Sequence, residues 1–101
     1  MRILVMFDLP VTTAAERRAY TLFRKYLLKN GFLMLQESVY CKIAQNPVAA
    51  DSVIDALRKN KPPTGLVQLL RVTEKQYAKM EYIAGESQLD VLNDDGRLVV
   101  L

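Results

Sequence analysis

The chain has 101 residues, 14 Lys+Arg against 11 Asp+Glu, one cysteine and no histidine. That length holds a single hydrophobic core, and without imidazole there are no serine triads, His-ligated metals or His-based acid–base catalysis. Cys41 alone excludes an internal disulfide and a cysteine zinc cluster.

Arg2 to Asp8 (RILVMFD) reads as a strand, and its near-continuous apolar run asks for cover on both faces. Apolar runs such as Ile3 to Phe7 are far shorter than the roughly 20 residues of a membrane helix and too short for a secretory signal. A cytoplasmic protein is therefore expected. Pro10 ends the strand, since it cannot donate to a ladder. Thr13 with Glu16 matches a capping box, and Ala15, Ala19, Leu22, Phe23, Tyr26 and Leu27 follow helical spacing as a buried stripe. Asn30-Gly31 is the stop signal of that helix.

Residues 31 to 43 (GFLMLQESVYCKI) predict two short strands, about 32–36 and 38–44, joined tightly or by a bulge near Gln36-Glu37. Asn46-Pro47 opens a second helix, with Ala50, Val53, Ile54 and Leu57 inward and Asp51, Asp55, Arg58 and Lys59 outward. Lys61-Pro62-Pro63-Thr64-Gly65 breaks the chain before a fourth strand, Leu66 to Val72. Thr73-Glu74 then opens a turn or short helix through about Met80. After Gly85, a polar turn at Asn93 to Gly96 precedes Leu98-Val99-Val100-Leu101. This last strand suits an open sheet edge at home or on a neighbouring protomer.

The order is that of a ferredoxin-like α+β domain, βαββαβ over residues 1–85, with two helices on one face of a four-stranded antiparallel sheet. Residues 86–101 form an extension carrying an extra C-terminal strand. Apolar side chains on both sides of the first strand leave a second sheet face needing cover, so a homodimer is expected.

Charge is divided unevenly. Residues 1 to 71 hold 11 cations and 5 acids, whereas residues 72 to 101 hold 3 and 6. Arg17, Arg18, Arg24, Lys25 and Lys29 are predicted opposite the buried stripe of the first helix, as a phosphate-binding surface without base readout. Lys42, Arg58, Lys59, Lys61 and Arg71 are candidates to extend it. The alternative is a solubilising helix face. Asp8 stands where the first strand emerges and has two open roles. It caps an Asx-type turn near Leu9-Pro10, or it ligates magnesium, with a dimer bringing two such carboxylates together. Gln36 and Ser38 are read as satisfying backbone groups at the strand junction, with Tyr40 stacking on its neighbours and Cys41 as a small apolar side chain.

Three motifs together carry a family likeness: RILVMFDLP, with its aspartate at the strand end; the Arg17-Arg18 pair; and Gln36, Ser38, Val39 and Tyr40 in LQESVY. LLRVTEKQYAKM adds to them. Over residues 1 to about 85 the chain resembles the "Cas-two" family, the small core adaptation protein of CRISPR systems. The resemblance implies a homodimer whose C-terminal strand packs across to the partner subunit, and magnesium near the paired first-strand aspartates, which puts Asp8 forward as ligand and catalytic residue. It further implies metal-dependent endonuclease activity on single-stranded RNA or double-stranded DNA, or a scaffold that holds duplex DNA between integrase dimers in spacer acquisition, with Arg17 and Arg18 on phosphates. Two positions depart from the family pattern: Tyr40 stands where Phe is common, and Leu9-Pro10 follows Asp8. A competing reading is an RNA-recognition-type module, which would stack bases on Phe7 and Tyr40.

Overall fold

A computed structural model describes residues 1–86. The predicted extra strand at Leu98 to Leu101 lies outside the described residues. The elements follow as β1 (Arg2–Asp8), α1 (Ala14–Lys29), β2 (Leu33–Gln36), β3 (Val39–Ile43), α2 (Pro47–Lys59), β4 (Leu66–Val72) and α3 (Glu74–Tyr77). The sheet order is β2-β3-β1-β4 with every neighbouring pair antiparallel, the ferredoxin-like topology.

Local chemistry sets the helix ends as the sequence predicts. The Thr13 hydroxyl accepts the Glu16 N–H at 3.1 Å, and the Glu16 carboxylate accepts the Thr13 N–H at 2.9 Å, which together complete the capping box. At the other end of α1, Asn30 Nδ2 donates to the Tyr26 carbonyl at 2.8 Å, and Gly31 takes φ +85° to turn the chain. Asn46 Oδ1 accepts the Ala49 N–H at 2.8 Å, and Pro47 opens α2. A two-residue turn, Glu37-Ser38, joins β2 to β3, with a register shift between Met34 and Gln36.

The core lies between the sheet and α1 and α2. Ile3, Val5 and Phe7 of β1 point into it beside Phe23, Leu27, Phe32, Tyr40, Ala50, Ile54 and Leu57. Phe7 is its hub. It meets Tyr20 and Phe23 edge-on, at 6.0 and 5.2 Å between centroids, and stacks on Tyr40 at 5.6 Å. The Tyr40 hydroxyl is buried there without a hydrogen-bond partner among the described residues.

One stretch of the predicted α1 stripe is corrected. Ala15 is exposed, Ala19 is only half-buried, and Leu22 is 62% exposed. The sheet takes a narrow strip of the helix, which Phe23 and Leu27 fill with Tyr20 and Tyr26 at its margins. Apolar spacing alone did not distinguish the strip that meets the sheet from the one beside it.

The second face of the sheet carries the alternate residues. Leu4 lies between Cys41 and Leu70, Met6 between Val39 and Gln68, and Arg2 between Ile43 and Val72, while Asp8 pairs with Leu66. Leu33, Ile43, Leu66 and Leu70 are each more than half exposed. α3 covers one end of this face. There the Arg2 guanidinium donates to both Glu74 carboxylate oxygens, at 3.0 and 3.1 Å, and lies 3.9 Å from the centre of the Tyr77 ring. The N-terminal ammonium is 3.5 Å from Glu74.

The Arg2 hydrogen bond, together with the Arg2 and N-terminal charges, holds the Glu74 carboxyl below the usual glutamate range. A folded-state value below the unfolded one gives stability that is present above the unfolded pKa, about 4.3, and lost as pH falls through the lower folded value. Wild type is therefore expected to exceed Glu74→Gln in melting temperature at pH 7, with the difference vanishing in scans taken well below pH 4.

Candidate nucleic-acid interface and metal ligand

The chain paths bring five segments to one end of the sheet: the end of β1, the start of α1, the β2–β3 turn, the end of α2 and the loop before β4. The Phe7 N–H donates to the Ser38 carbonyl at 3.1 Å, and Asp8 lies opposite Leu66. Gly65 makes the approach possible. It has φ +95°, and a Cβ there would fall 2.6 Å from Leu9 Cδ2 and 3.0 Å from the Asp8 carbonyl oxygen. Gly65→Ala is expected to cost about 1–3 kcal/mol through left-handed strain and this clash, read as a lower denaturant midpoint at unchanged m-value.

Asp8 is exposed and shares the parity of Leu4 and Met6, so it stands at the rim of the open apolar face. Among the described residues its carboxylate takes no hydrogen bond or ion pair, and the Asx-type turn therefore does not form. The described residues contain no group of three or more His, Cys, Asp or Glu side chains able to hold a metal. Asp8 nonetheless suits magnesium as a single hard oxygen donor, since that ion takes one or two protein carboxylates and fills its remaining positions with water or phosphate oxygens.

The cations of α1 separate into two columns by helical spacing, Arg17 with Arg24 and Arg18 with Lys25 and Lys29. They do not form one face opposite the core, since Arg24 is half-buried. Arg17 donates to the Val11 and Thr12 carbonyls at 3.2 and 2.8 Å, and so braces the loop leaving β1. Arg18, Arg24, Lys25 and Lys29 have no hydrogen-bond or ion-pair partner among the described residues.

Of the five predicted extensions, three are occupied internally. Lys42 Nζ donates to the Asn30 carbonyl at 2.7 Å, Arg58 pairs with Asp55 at 2.8 Å, and Arg71 pairs with Asp51. Lys59 and Lys61 stay free among the described residues, and Lys61 lines the same groove as Arg18. Sequence reasoning assigned Lys61 no location; the fold sets it across from α1.

The junction residues are corrected in one respect. The Ser38 backbone carbonyl, not its hydroxyl, satisfies Phe7, and the Gln36 and Ser38 side chains take no hydrogen bond among the described residues. Tyr40 does stack as expected, but inside the core. Phe7 is 6% and Tyr40 0% exposed, both beneath the helices. An RNA-recognition-type module needs such rings on its open sheet face, so that reading fails on these two residues. Burial pushes the Cys41 thiol up, against the lowering pull of Arg2, and keeps it protonated and inert.

Comparison with known proteins identifies the family. Residues 1–80 match the family model described as CRISPR associated protein Cas2. The chain belongs to the Cas2 family. The CRISPR-associated endoribonuclease Cas2 of Treponema denticola is 58% identical over 101 residues, covering 100% of both chains. The protein of the same name from Streptococcus mutans serotype c (strain UA159) is 50% identical over 101 residues, covering 100% of this chain and 93% of that one. In fold, the chain is similar to the crystal structure of Streptococcus pyogenes Cas2 at pH 6.5, with TM-score 0.62 at 19% identity, covering 83% of this chain and 100% of that one. That likeness extends to the α+β fold with its four-stranded antiparallel sheet. Asp8, Arg17, Arg18, Gln36 and Ser38, singled out in the sequence, all lie at or beside the end of the sheet where β1 exits. Tyr40, two residues into β3 from Ser38, belongs to the core instead. No helix among the described residues is long and apolar enough to cross a membrane.

Proposed function

We propose that the chain works in CRISPR spacer acquisition as a homodimer, binding duplex DNA through phosphate contacts and bridging integrase dimers in the cytoplasm. It also carries a magnesium-dependent endonuclease activity centred on Asp8, acting on single-stranded RNA or double-stranded DNA. The observation that supports this reading best is the Asp8 carboxylate, unpartnered among the described residues, at the rim of an apolar sheet face. A second copy stacked on that face removes its leucines and Ile43 from water and brings two Asp8 side chains toward a common axis.

Magnesium, when bound, supplies an activated water and stabilises charge on the phosphate in the transition state. Asp8 and its symmetry mate would hold the ion. Arg18, Lys25 and Lys29 position the sugar–phosphate backbone as free point charges, and Arg17 adds its remaining N–H groups from the braced loop. With no histidine in the chain, the protein supplies no imidazole base, and catalysis is modest beside the scaffold role. The name that the relatives carry, endoribonuclease, supports cleavage of RNA.

The test pairs cleavage with integration. Wild type and Asp8→Ala are assayed on single-stranded RNA and duplex DNA with magnesium or EDTA, and then with the integrase from the same source. The expected result is loss of cleavage in Asp8→Ala and in EDTA, with integration retained. Cleavage that survives both treatments overturns the role of Asp8. Arg18→Ala is expected to weaken duplex binding and to flatten its salt dependence by about 0.9 for each phosphate no longer neutralised; an unchanged slope removes Arg18 from the interface.

A further inference from the structure

The loop that carries the chain from Asp8 to α1 is bonded beyond what a helix cap requires. In a capping box the side chain at the third helical position satisfies the N-cap N–H, and Gln76 does this at the start of α3, accepting the Thr73 N–H at 2.9 Å. Glu16 does more. Its carboxylate accepts the Thr13 N–H at 2.9 Å and also the Thr12 N–H at 3.0 Å. The next residue works from the other side, where the Arg17 guanidinium donates to the Thr12 carbonyl at 2.8 Å and to the Val11 carbonyl at 3.2 Å. Thr12 is thus gripped at both its amide and its carbonyl, although it is exposed. Leu9 is seated in the core and Pro10 has a fixed φ, so each residue between Asp8 and Thr13 carries its own restraint.

We infer, on the basis of the Asp8 endonuclease proposed above, that Glu16 and Arg17 are positioning residues: they fix this loop so that Asp8 and the Arg18 column stand in a set register on one sugar–phosphate backbone. Asp8 ends β1, Arg18 lies in the second turn of α1, and the loop is the covalent link between them. That part of α1 has little else to hold it, since no residue of the helix before Phe23 is buried. A loose loop would let phosphates held on α1 drift from the carboxylate, and a misplacement of about 1 Å costs about a hundredfold in rate. Glu16 is also an acid among cations, where it can only repel a phosphate. Its bonds to the loop account for its place there.

The experiment compares full-length Glu16→Ala, Glu16→Gln and Thr13→Ala with wild type. Glutamine keeps the accepting oxygen, as Gln76 does at α3. Thr13→Ala removes the N-cap hydroxyl and leaves the Thr12 bonds, so it reports a helix that is merely less stable. Two quantities are read in EDTA: amide hydrogen exchange at Thr12 and affinity for a short DNA duplex. The third is turnover in saturating magnesium of whichever substrate wild type cleaves, single-stranded RNA or duplex DNA, at a temperature where every protein is folded. In Glu16→Ala, Thr12 exchange is expected to rise about tenfold or more, and kcat to fall about tenfold or more at unchanged KM. Duplex affinity stays level or tightens, because an acid has left a cationic surface. Glu16→Gln matches wild type, and Thr13→Ala keeps its kcat. Thr12 exchange or kcat at the wild-type value in Glu16→Ala overturns the inference alone. An equal loss of kcat in Thr13→Ala assigns the effect to helix stability, and weaker duplex binding in Glu16→Ala assigns it to affinity; either result overturns it. If Glu16→Ala does not fold, Arg17→Ala, which frees the Thr12 carbonyl, decides through the same fall in kcat. Wild type that does not cleave, or Asp8→Ala that cleaves as wild type does, ends the endonuclease reading and this inference with it.

Discussion

The Leu70→Glu variant is expected to stay folded and to lose its partner subunit. Leu70 is 51% exposed on the open face, opposite Leu4 and away from the helix-side core, so the monomer accommodates a carboxylate there in contact with water. In a stacked dimer the same position is covered, and two-fold symmetry introduces the charge twice. An unpaired buried carboxylate costs several kcal/mol, and each 1.4 kcal/mol is about tenfold in the dissociation constant. A rise of about a hundredfold or more follows, visible as a monomer in sedimentation at tens of micromolar with far-UV dichroism preserved. Integration is expected to fail with the dimer. A Leu70→Glu protein that sediments as wild type does would move the subunit contact to another surface.

Phe7→Ala is expected to have the largest effect on the fold itself. Phe7 sits on the central strand beneath α1 and touches three rings, those of Tyr20, Phe23 and Tyr40. Removing a buried phenyl costs about 3–5 kcal/mol, against a total stability of about 5–15 kcal/mol for such domains. For a chain of this size that lowers the melting temperature by at least about 12 °C. The vacated space also faces the Tyr40 ring, whose buried hydroxyl already lacks a partner among the described residues. Calorimetry on wild type and variant at one protein concentration measures the difference. A shift of only a few degrees would mean that the ring cluster is not the centre of the core.

Much of this architecture was legible from the chain because its signals are local. Thr13 with Glu16, Asn46 with Pro47 and Asn30 with Gly31 each mark a helix boundary through interactions a few residues apart, and all three act as the spacing predicts. The alternation in β1 likewise set the parity that groups Asp8 with Leu4 and Met6. What the chain did not disclose was tertiary pairing. Arg71 and Asp51 are twenty residues apart, and only the packing of α2 on the sheet joins them; Lys42 looked like a free cation until the turn after α1 brought Asn30 beneath it. Leu22 shows the same boundary from the apolar side. Its spacing is that of a core residue, and the helix rotation that leaves it outside depends on the sizes of Phe23 and Leu27.

The place of β1 at the centre of the sheet has a consequence for synthesis. β1, the earliest in sequence of the described strands, hydrogen-bonds to β3 on one side and β4 on the other, across register pairs such as Arg2 with Val72. Its final lock, Glu74 on Arg2, lies later still. A nascent chain therefore carries its greasiest segment unsatisfied until nearly the whole domain has emerged.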